Sequence, residues 1–230
     1  MPSPPVALRV RENLLRVRER IEAACRRAKR QPGEITLVAV TKSASPGEVE
    51  AILELGVRDL GESRAIEGSA RAAQFGPDVR WHFIGHLQTN KAKRVVEAFQ
   101  VVHSVDRAGL VDELERRAAG RNRRLPMFVQ VNVSGEATKG GFRPEETAAA
   151  VGQPRSAKPH LDVVGLMTMA PEGPPESARP HFRKLRELAA ACGLSGLSMG
   201  MTGDFEVAIE EGATHIRVGT ALFGSSNRVY

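Results

Sequence analysis

The sequence predicts an α/β fold, a (β/α)8 TIM barrel preceded by one extra helix. Three observations predict it. From residue 35 onward, short β-branched runs alternate with amphipathic helical stretches. Several runs, such as "LPMFVQVNV" at 125–133 and "LDVVGLMTM" at 161–169, are apolar on both faces, as in a parallel sheet covered on both sides. Eight such units in roughly 200 residues fit a closed barrel better than an open doubly wound sheet.

The elements follow in order. Leu8, Val10, Leu14, Leu15, Val17, Ile21, Ala24 and Cys25 recur near helical spacing, which predicts one long helix over 6–29, ended around Gln31-Pro32-Gly33. A strand at 35–41 is followed by a helix from Pro46, suited to a first turn, to Leu55, with Gly56 as its C-terminal cap. Strands at 57–60, 80–84 and 101–105 precede helices at 63–75, 88–99 and from Asp106. The strand at 125–133 leads to a helix from Pro144, and that at 161–169 leads through a proline-rich loop to a helix over 176–192. Strands at 196–201 and 215–219 frame a helix over 204–210. No composition break divides residues 1–230, so one domain is expected.

The bulk numbers exclude several classes. A net charge of +6 invites a nucleic-acid reading, yet the basic residues are interleaved with acids, as in "RVRENLLRVRERIEAACRRAKR". That pattern suits solvated helix faces, and 4% aromatic residues offer few platforms for stacking bases. No run of eighteen apolar residues predicts a membrane span. The charged N-terminus lacks the apolar core of a secretory signal, so a cytoplasmic location is expected. Cys25 and Cys192 lie far apart on apolar helix faces and read as reduced, buried residues. Few exposed apolar residues are expected, and with them a monomer.

Barrels of this kind place their sites at the C-terminal strand ends. Those ends carry Lys42; Gly61-Glu62-Ser63-Arg64; Gly85-His86; His103-Ser104; Asn132-Val133-Ser134; Met167-Thr168-Met169; Ser198 to Thr202; and Arg217 to Thr220. The last two clusters occupy the positions where barrels commonly bind phosphate, with a glycine for close backbone approach and hydroxyls on Ser198 and Thr220 to donate. Strand one neighbours strand eight on closure, so Lys42 is expected beside them, as an ion-pair partner or as an amine nucleophile toward a carbonyl. Other candidates read more plainly. His82 and His86 are four apart but span a strand and a turn, which favours packing over a zinc site. Asp204 reads equally as a general base or a helix cap, and Glu62 as a possible base. Met167, Met169, Met199 and Met201 read as packing residues.

Five segments together, "LVAVTKSAS", "GES" with "WHFIGHLQTNK", "VQVNVSGEATKGGF", "GLMTMAP" and "LSMGMTGDFEVAIEEGATHIRVGTALFG", resemble the signature segments of the YggS-type pyridoxal phosphate homeostasis proteins. The resemblance runs from about residue 6 to residue 224, in the family's order. It implies a barrel like the N-terminal domain of alanine racemase, the fold type III arrangement, holding pyridoxal 5′-phosphate (PLP) as a Schiff base on Lys42. It further implies phosphate contacts from Ser198, Gly219 and Thr220, and Arg217 facing the pyridine nitrogen. An arginine there would keep that nitrogen unprotonated and weaken the ring as an electron sink, in keeping with a role in buffering, carrying or regulating PLP rather than turnover. Apo-forms of PLP-dependent enzymes are the implied recipients, with no catalytic residue and no metal assigned. Lys139 matches a family position, though a loop lysine accounts for it equally. Many relatives have asparagine where this chain has Ser63, so no role is assigned to that residue. The rival function is a PLP-dependent racemase or decarboxylase of weak activity. A racemase of that type needs a tyrosine opposite the lysine, and this chain's one tyrosine is Tyr230.

Overall fold

The computed structural model describes residues 2–224. Eight parallel strands close in sequence order: β1 (Thr36–Val40), β2 (Asp59–Glu62), β3 (Arg80–Phe83), β4 (Val101–Val105), β5 (Leu125–Gln130), β6 (Leu161–Met167), β7 (Gly196–Ser198) and β8 (His215–Val218). Closure is made by β1 on β8, from Thr36 opposite His215 to Ala39 opposite Val218. Around the barrel run α1 (Pro4–Ala28), α2 (Pro46–Glu54), α3 (Ala65–Ala72), α4 (Ala92–Ala98), α5 (Ala108–Ala119), α6 (Thr147–Ala157), α7 (Arg179–Ala191), α8 (Phe205–Glu210) and α9 (Thr220–Phe223). The predicted (β/α)8 barrel with an added N-terminal helix is the architecture observed.

The extra helix covers the closure seam. Val10, Leu14, Val17, Ile21, Ala24 and Cys25 form its buried stripe, and it packs on α2, α8 and α9. Its polar face is tied down as well. Asn13 donates to the Leu222 carbonyl, and just beyond the end of the helix Arg30 donates to the carbonyls of Ile209 and Ala213 at 2.9 and 2.8 Å. The interleaved charges also serve between helices: Glu211, only 4% exposed, accepts from Arg179 and Arg183 and lies 3.1 Å from Arg186.

Strands end earlier than the apolar runs predict because the chain leaves the sheet to build the mouth. After Gln130, Val131 makes a lone bridge with Phe142; after Ser198, Gly200 adopts φ +91°. A Cβ on Gly200 would lie 2.6 Å from the Ala208 Cβ and 2.9 Å from the Phe205 Cα, so only glycine turns there. Helices α4, α6 and α7 open with 3-10 turns instead of full α-helix. Cys192 is half-buried, not buried as expected, because it caps α7 where the helix leaves its packed face.

The barrel interior is partly polar. The rings of His82 and His103 are buried and lie 5.1 Å apart, His103 is 4.5 Å from Phe128, and His215 is 5.0 Å from Phe128. Burial pushes His103 well below the usual imidazole range, lowers His82 although Asp59 opposes it, and takes His215 to about 4. In the unfolded chain these imidazoles take up protons near about pH 6.5. Below that pH the unfolded chain therefore binds more protons than the barrel, so stability is full above it and falls as pH drops towards the folded values. The urea midpoint is expected to fall steeply from about pH 6.5 to about 4, with about two to three protons taken up on unfolding; a flat profile there would contradict neutral buried rings. Gly200→Ala is expected to cost about 2–4 kcal/mol in the same assay. By contrast Gly152→Ala, in open space within α6, should add about 0.5–1 kcal/mol.

Candidate functional site

At the C-terminal ends of the strands lies a cavity of about 920 Å³ lined in part by Lys42, Ser63, Gln130, Lys139, Thr202, Arg217, Gly219 and Thr220. Lys42 sits in a short turn fixed on both sides. Before it, the Thr41 hydroxyl donates to Glu62 Oε1 at 2.6 Å and the Thr41 N–H to the Gly61 carbonyl at 2.9 Å. After it, Arg71 donates to the Ala44 carbonyl at 2.8 Å while its Nε lies 3.1 Å from Glu62 Oε1. Ser45 and Glu48 then form a reciprocal capping box that starts α2. The backbone is thereby pinned while the Lys42 side chain remains exposed and lines the cavity. Glu62 does not line it. Burial pushes that carboxyl up, against the pull of Thr41 and Arg71, and its work is to anchor the lysine turn from behind.

Arg217 rises from β8 into the cavity floor and is 4% exposed. Its Nη1 donates to Ser198 Oγ at 2.6 Å and its Nη2 to the Thr168 carbonyl at 2.9 Å. Thr168 is held in turn by its hydroxyl on the Val131 carbonyl at 2.8 Å. Among the described residues no carboxylate pairs with this guanidinium, and burial takes its pKa down to about 10 against the attraction of Asp204. A buried, permanently cationic fork with donors to spare is an acceptor-seeking group.

Ser198 is placed differently from its sequence reading. It is the last residue of β7, fully buried, and does not line the cavity; its oxygen meets Arg217 and His103 inside the barrel. The wall nearest β7 is built instead by Met201, Thr202 and Gly203, beyond the turn that Gly200 makes. Two hydroxyl-and-glycine pairs thus flank the cavity, Thr202-Gly203 and Gly219-Thr220. They are tied together, since the Ala221 N–H reaches Thr202 Oγ1 at 3.4 Å. Gly219 fits because a Cβ there would press on Val40 at 3.3 Å. The signal for Thr202 was its hydroxyl beyond the turning glycine, four positions past Ser198.

Other predicted residues divide. Ser63, left without a role, lines the cavity, and Gly85 is required beside it because a Cβ would strike the Ser63 carbonyl at 2.0 Å. Lys139 also lines the cavity and lies 3.1 Å from Glu136 Oε1, in a loop organised by Asn132, which donates to the carbonyls of Glu136 and Lys139. His82 and His86 do not converge: His82 is inside the barrel, whereas His86 is exposed and bonds Asp106 at 3.0 Å. Asp204 precedes α8 without capping it; its Oδ1 accepts the Met201 N–H at 2.6 Å and so shapes the Thr202 turn. Met167 and Met199 are core, Met169 and Met201 mouth. Tyr230 lies outside the described residues.

Residues 13–227 match the family described as alanine racemase, N-terminal domain. A pyridoxal phosphate homeostasis protein from Aquifex aeolicus (strain VF5) is 43% identical over 221 residues, covering 93% of this chain and 96% of the relative. One of the same description from Pseudomonas aeruginosa is 42% identical, covering 94% and 95%. The solved structure of PipY from Synechococcus elongatus PCC7942 with PLP bound superposes with a TM-score of 0.79 at 33% identity, covering 90% of this chain and all of that one. With this barrel and these matches along nearly its whole length, the chain belongs to the alanine racemase N-terminal domain family, among the pyridoxal phosphate homeostasis proteins.

Proposed function

We propose that the mouth cavity binds pyridoxal 5′-phosphate through Lys42 and that the protein serves intracellular homeostasis of this cofactor by buffering, carrying or regulating it. The observation that carries the reading is the convergence of two amines, Lys42 on its pinned turn and Lys139 beside Glu136, one buried cation and two hydroxyl-and-glycine turns on a single cavity. That donor set matches an anionic aldehyde with a ring nitrogen. When bound, the cofactor supplies an aldehyde carbon for an amine and an aromatic ring able to withdraw electrons.

The chain's own residues divide the work. Lys42 offers the amine from a fixed backbone and an exposed side chain, so the group it holds stays within reach of solvent and of a recipient. Thr202, Gly203, Gly219 and Thr220 receive the phosphate with hydroxyls and with the Thr220 N–H that opens α9, the Ala221 N–H being given to Thr202 and those of Leu222 and Phe223 to the Gly219 carbonyl. Ser198 acts one layer deeper, on Arg217. Arg217, which lines the cavity with Nη1 held by Ser198, would face the pyridine nitrogen as a donor and would keep a proton off it.

A racemase or decarboxylase is the weaker reading. Among the described residues, the ionisable side chains lining the cavity are Lys42, His86, Lys139 and Arg217, with no carboxylate or tyrosine. Proton removal opposite the lysine lacks the usual base, and Arg217 disfavours a charged pyridinium sink. Apo-forms of PLP-dependent enzymes are the recipients this reading requires.

Purified protein incubated with PLP and reduced with borohydride should carry the cofactor on Lys42 alone; the mass adduct on Lys139 instead would overturn the assignment. Thr202→Ala is expected to weaken cofactor retention about tenfold or more, as loss of a hydrogen bond to a charged group does. Retention unchanged in that variant would return the phosphate to another turn. Mixing loaded protein with an apo PLP-dependent enzyme should restore that enzyme's activity faster than free PLP released into a scavenging trap allows. Equal rates would leave buffering without carriage.

A further inference from the structure

We propose that Asp59, His82 and His103 form, with Ser198, a directional hydrogen-bonded chain along the barrel interior that positions Arg217 and leaves its remaining N–H donors free for the ligand. The chain is continuous. Arg217 Nη1 lies 2.6 Å from Ser198 Oγ, Ser198 Oγ 2.7 Å from His103 Nδ1, His103 Nε2 2.9 Å from His82 Nδ1, and His82 Nε2 2.9 Å from Asp59 Oδ1. It draws on β8, β7, β4, β3 and β2 and crosses from the cavity floor to the opposite end of the barrel, where Asp59 is the first residue of β2.

Donor counting fixes its direction. A guanidinium only donates, so Ser198 accepts from Arg217; its own proton goes to His103 Nδ1 because the count from the Asp59 carboxylate makes that nitrogen an acceptor. A neutral imidazole has one donor and one acceptor, so His103 donates through Nε2 to His82 Nδ1. His82 then donates through Nε2, and the group waiting there is a carboxylate, which only accepts. Starting from Asp59 and counting back yields the same assignment. Every donor points towards Asp59, and both rings carry their proton on Nε2.

The arrangement answers how a guanidinium that is 4% exposed persists without a carboxylate beside it. Asp204 supplies the nearest opposite charge, and the polarised neutral groups leading to Asp59 orient their dipoles to favour the cation. A carboxylate in direct bidentate contact would take the donors that a ligand needs. The surrounding charged and titratable groups fit this polarity. Arg80 lies 3.7 Å from Asp59, His215 packs beside both rings, and Asp204 is the acidic group nearest Arg217 in effect. Burial holds both imidazoles below their usual range, so each remains neutral as the count demands. His82, His103 and Asp59 are positioning residues, since they reach the ligand only through Arg217.

This inference rests on the PLP reading only in naming what Arg217 faces, and its test separates the two. Nitrogen-15 NMR of the ligand-free protein should show His82 and His103 neutral at about pH 7, each protonated on Nε2. A proton on Nδ1 of either ring, or a charged ring, overturns the chain whatever the cavity binds. For function, His103→Phe keeps a ring of similar size but breaks both bonds. It should lower PLP retention about tenfold and shift the absorbance of the bound cofactor. His103→Gln, whose amide can accept from Ser198 and donate to His82, should restore both. Equal losses in the two variants, or none in His103→Phe, would make His103 a packing residue and sink the proposal. If His103→Phe does not fold, Ser198→Ala replaces it: it cuts the chain at the other link with a smaller change, and unaltered retention and spectrum there would also refute it. Should wild-type protein fail to carry cofactor on Lys42, the functional reading fails, and the NMR result still decides the chain.

Discussion

The site depends on one closure: β1 lying parallel against β8. Val38 stands opposite Arg217 and Ala39 opposite Val218, so the strand ending at Lys42 runs beside the strand ending at Gly219 and Thr220. Residues from the two extremes of the chain become neighbours only through this pairing. Closure also removes the free strand edges that an open sheet would expose. Helix α1 covers the seam from outside, and hydrogen bonds from Asn13 to the Leu222 carbonyl and from Arg30, just past the helix, to those of Ile209 and Ala213 tie it to the segments flanking β8. The added helix thus helps fix the side of the mouth where the amine and the anion-binding turns meet.

Around that seam the mouth combines rigid backbone with accessible side chains. Glu62 is buried where it can brace Thr41 and Arg71, and through them both ends of the Lys42 turn. Asp204 accepts the Met201 N–H and shapes the Thr202 turn, while the left-handed Gly200 brings that turn against α8. Backbone order lowers the cost of organising a ligand. The exposed Lys42 and the partly exposed Met169 and Met201 leave the cavity open. A protein that takes up and surrenders a cofactor benefits from such a mouth, whereas an enzyme that must exclude water during proton transfer benefits from a closed one.

Two buried charges are treated in opposite ways. Glu211, near the outer surface, is surrounded by Arg179, Arg183 and Arg186, and its acceptor oxygens are spent on structure. Arg217, inside, contacts a hydroxyl and a carbonyl and is separated from its acidic partners. Isolation of this kind costs stability, because the charge is desolvated without a direct counter-ion. It is found where charge and donors face a cavity, which is where a binding site gains from them.

The alternation of apolar runs with amphipathic stretches was enough to set the (β/α)8 class, the extra helix and the cluster of strand ends that holds Lys42, Arg217, Gly219 and Thr220. These depend on periodicity and on the order of elements, both of which are local properties of a chain. Recognising the signature segments added the cofactor and the roles to be tested, including Lys42 as the amine. Ser198 shows where local reading stops. A hydroxyl in a turn-like segment and a hydroxyl at the last inward position of a strand look alike until the strand's end is known, and that end is set by Gly200 packing against Phe205 and Ala208. The same holds for Glu62, His82 and His103, whose sequence neighbours give no hint of Thr41, Asp59 or Ser198 as partners. Which side of the barrel wall a polar side chain faces, and which distant group it meets there, follows from strand stagger and closure. Only the tertiary structure decides those, because they bring together residues that no sequence interval relates.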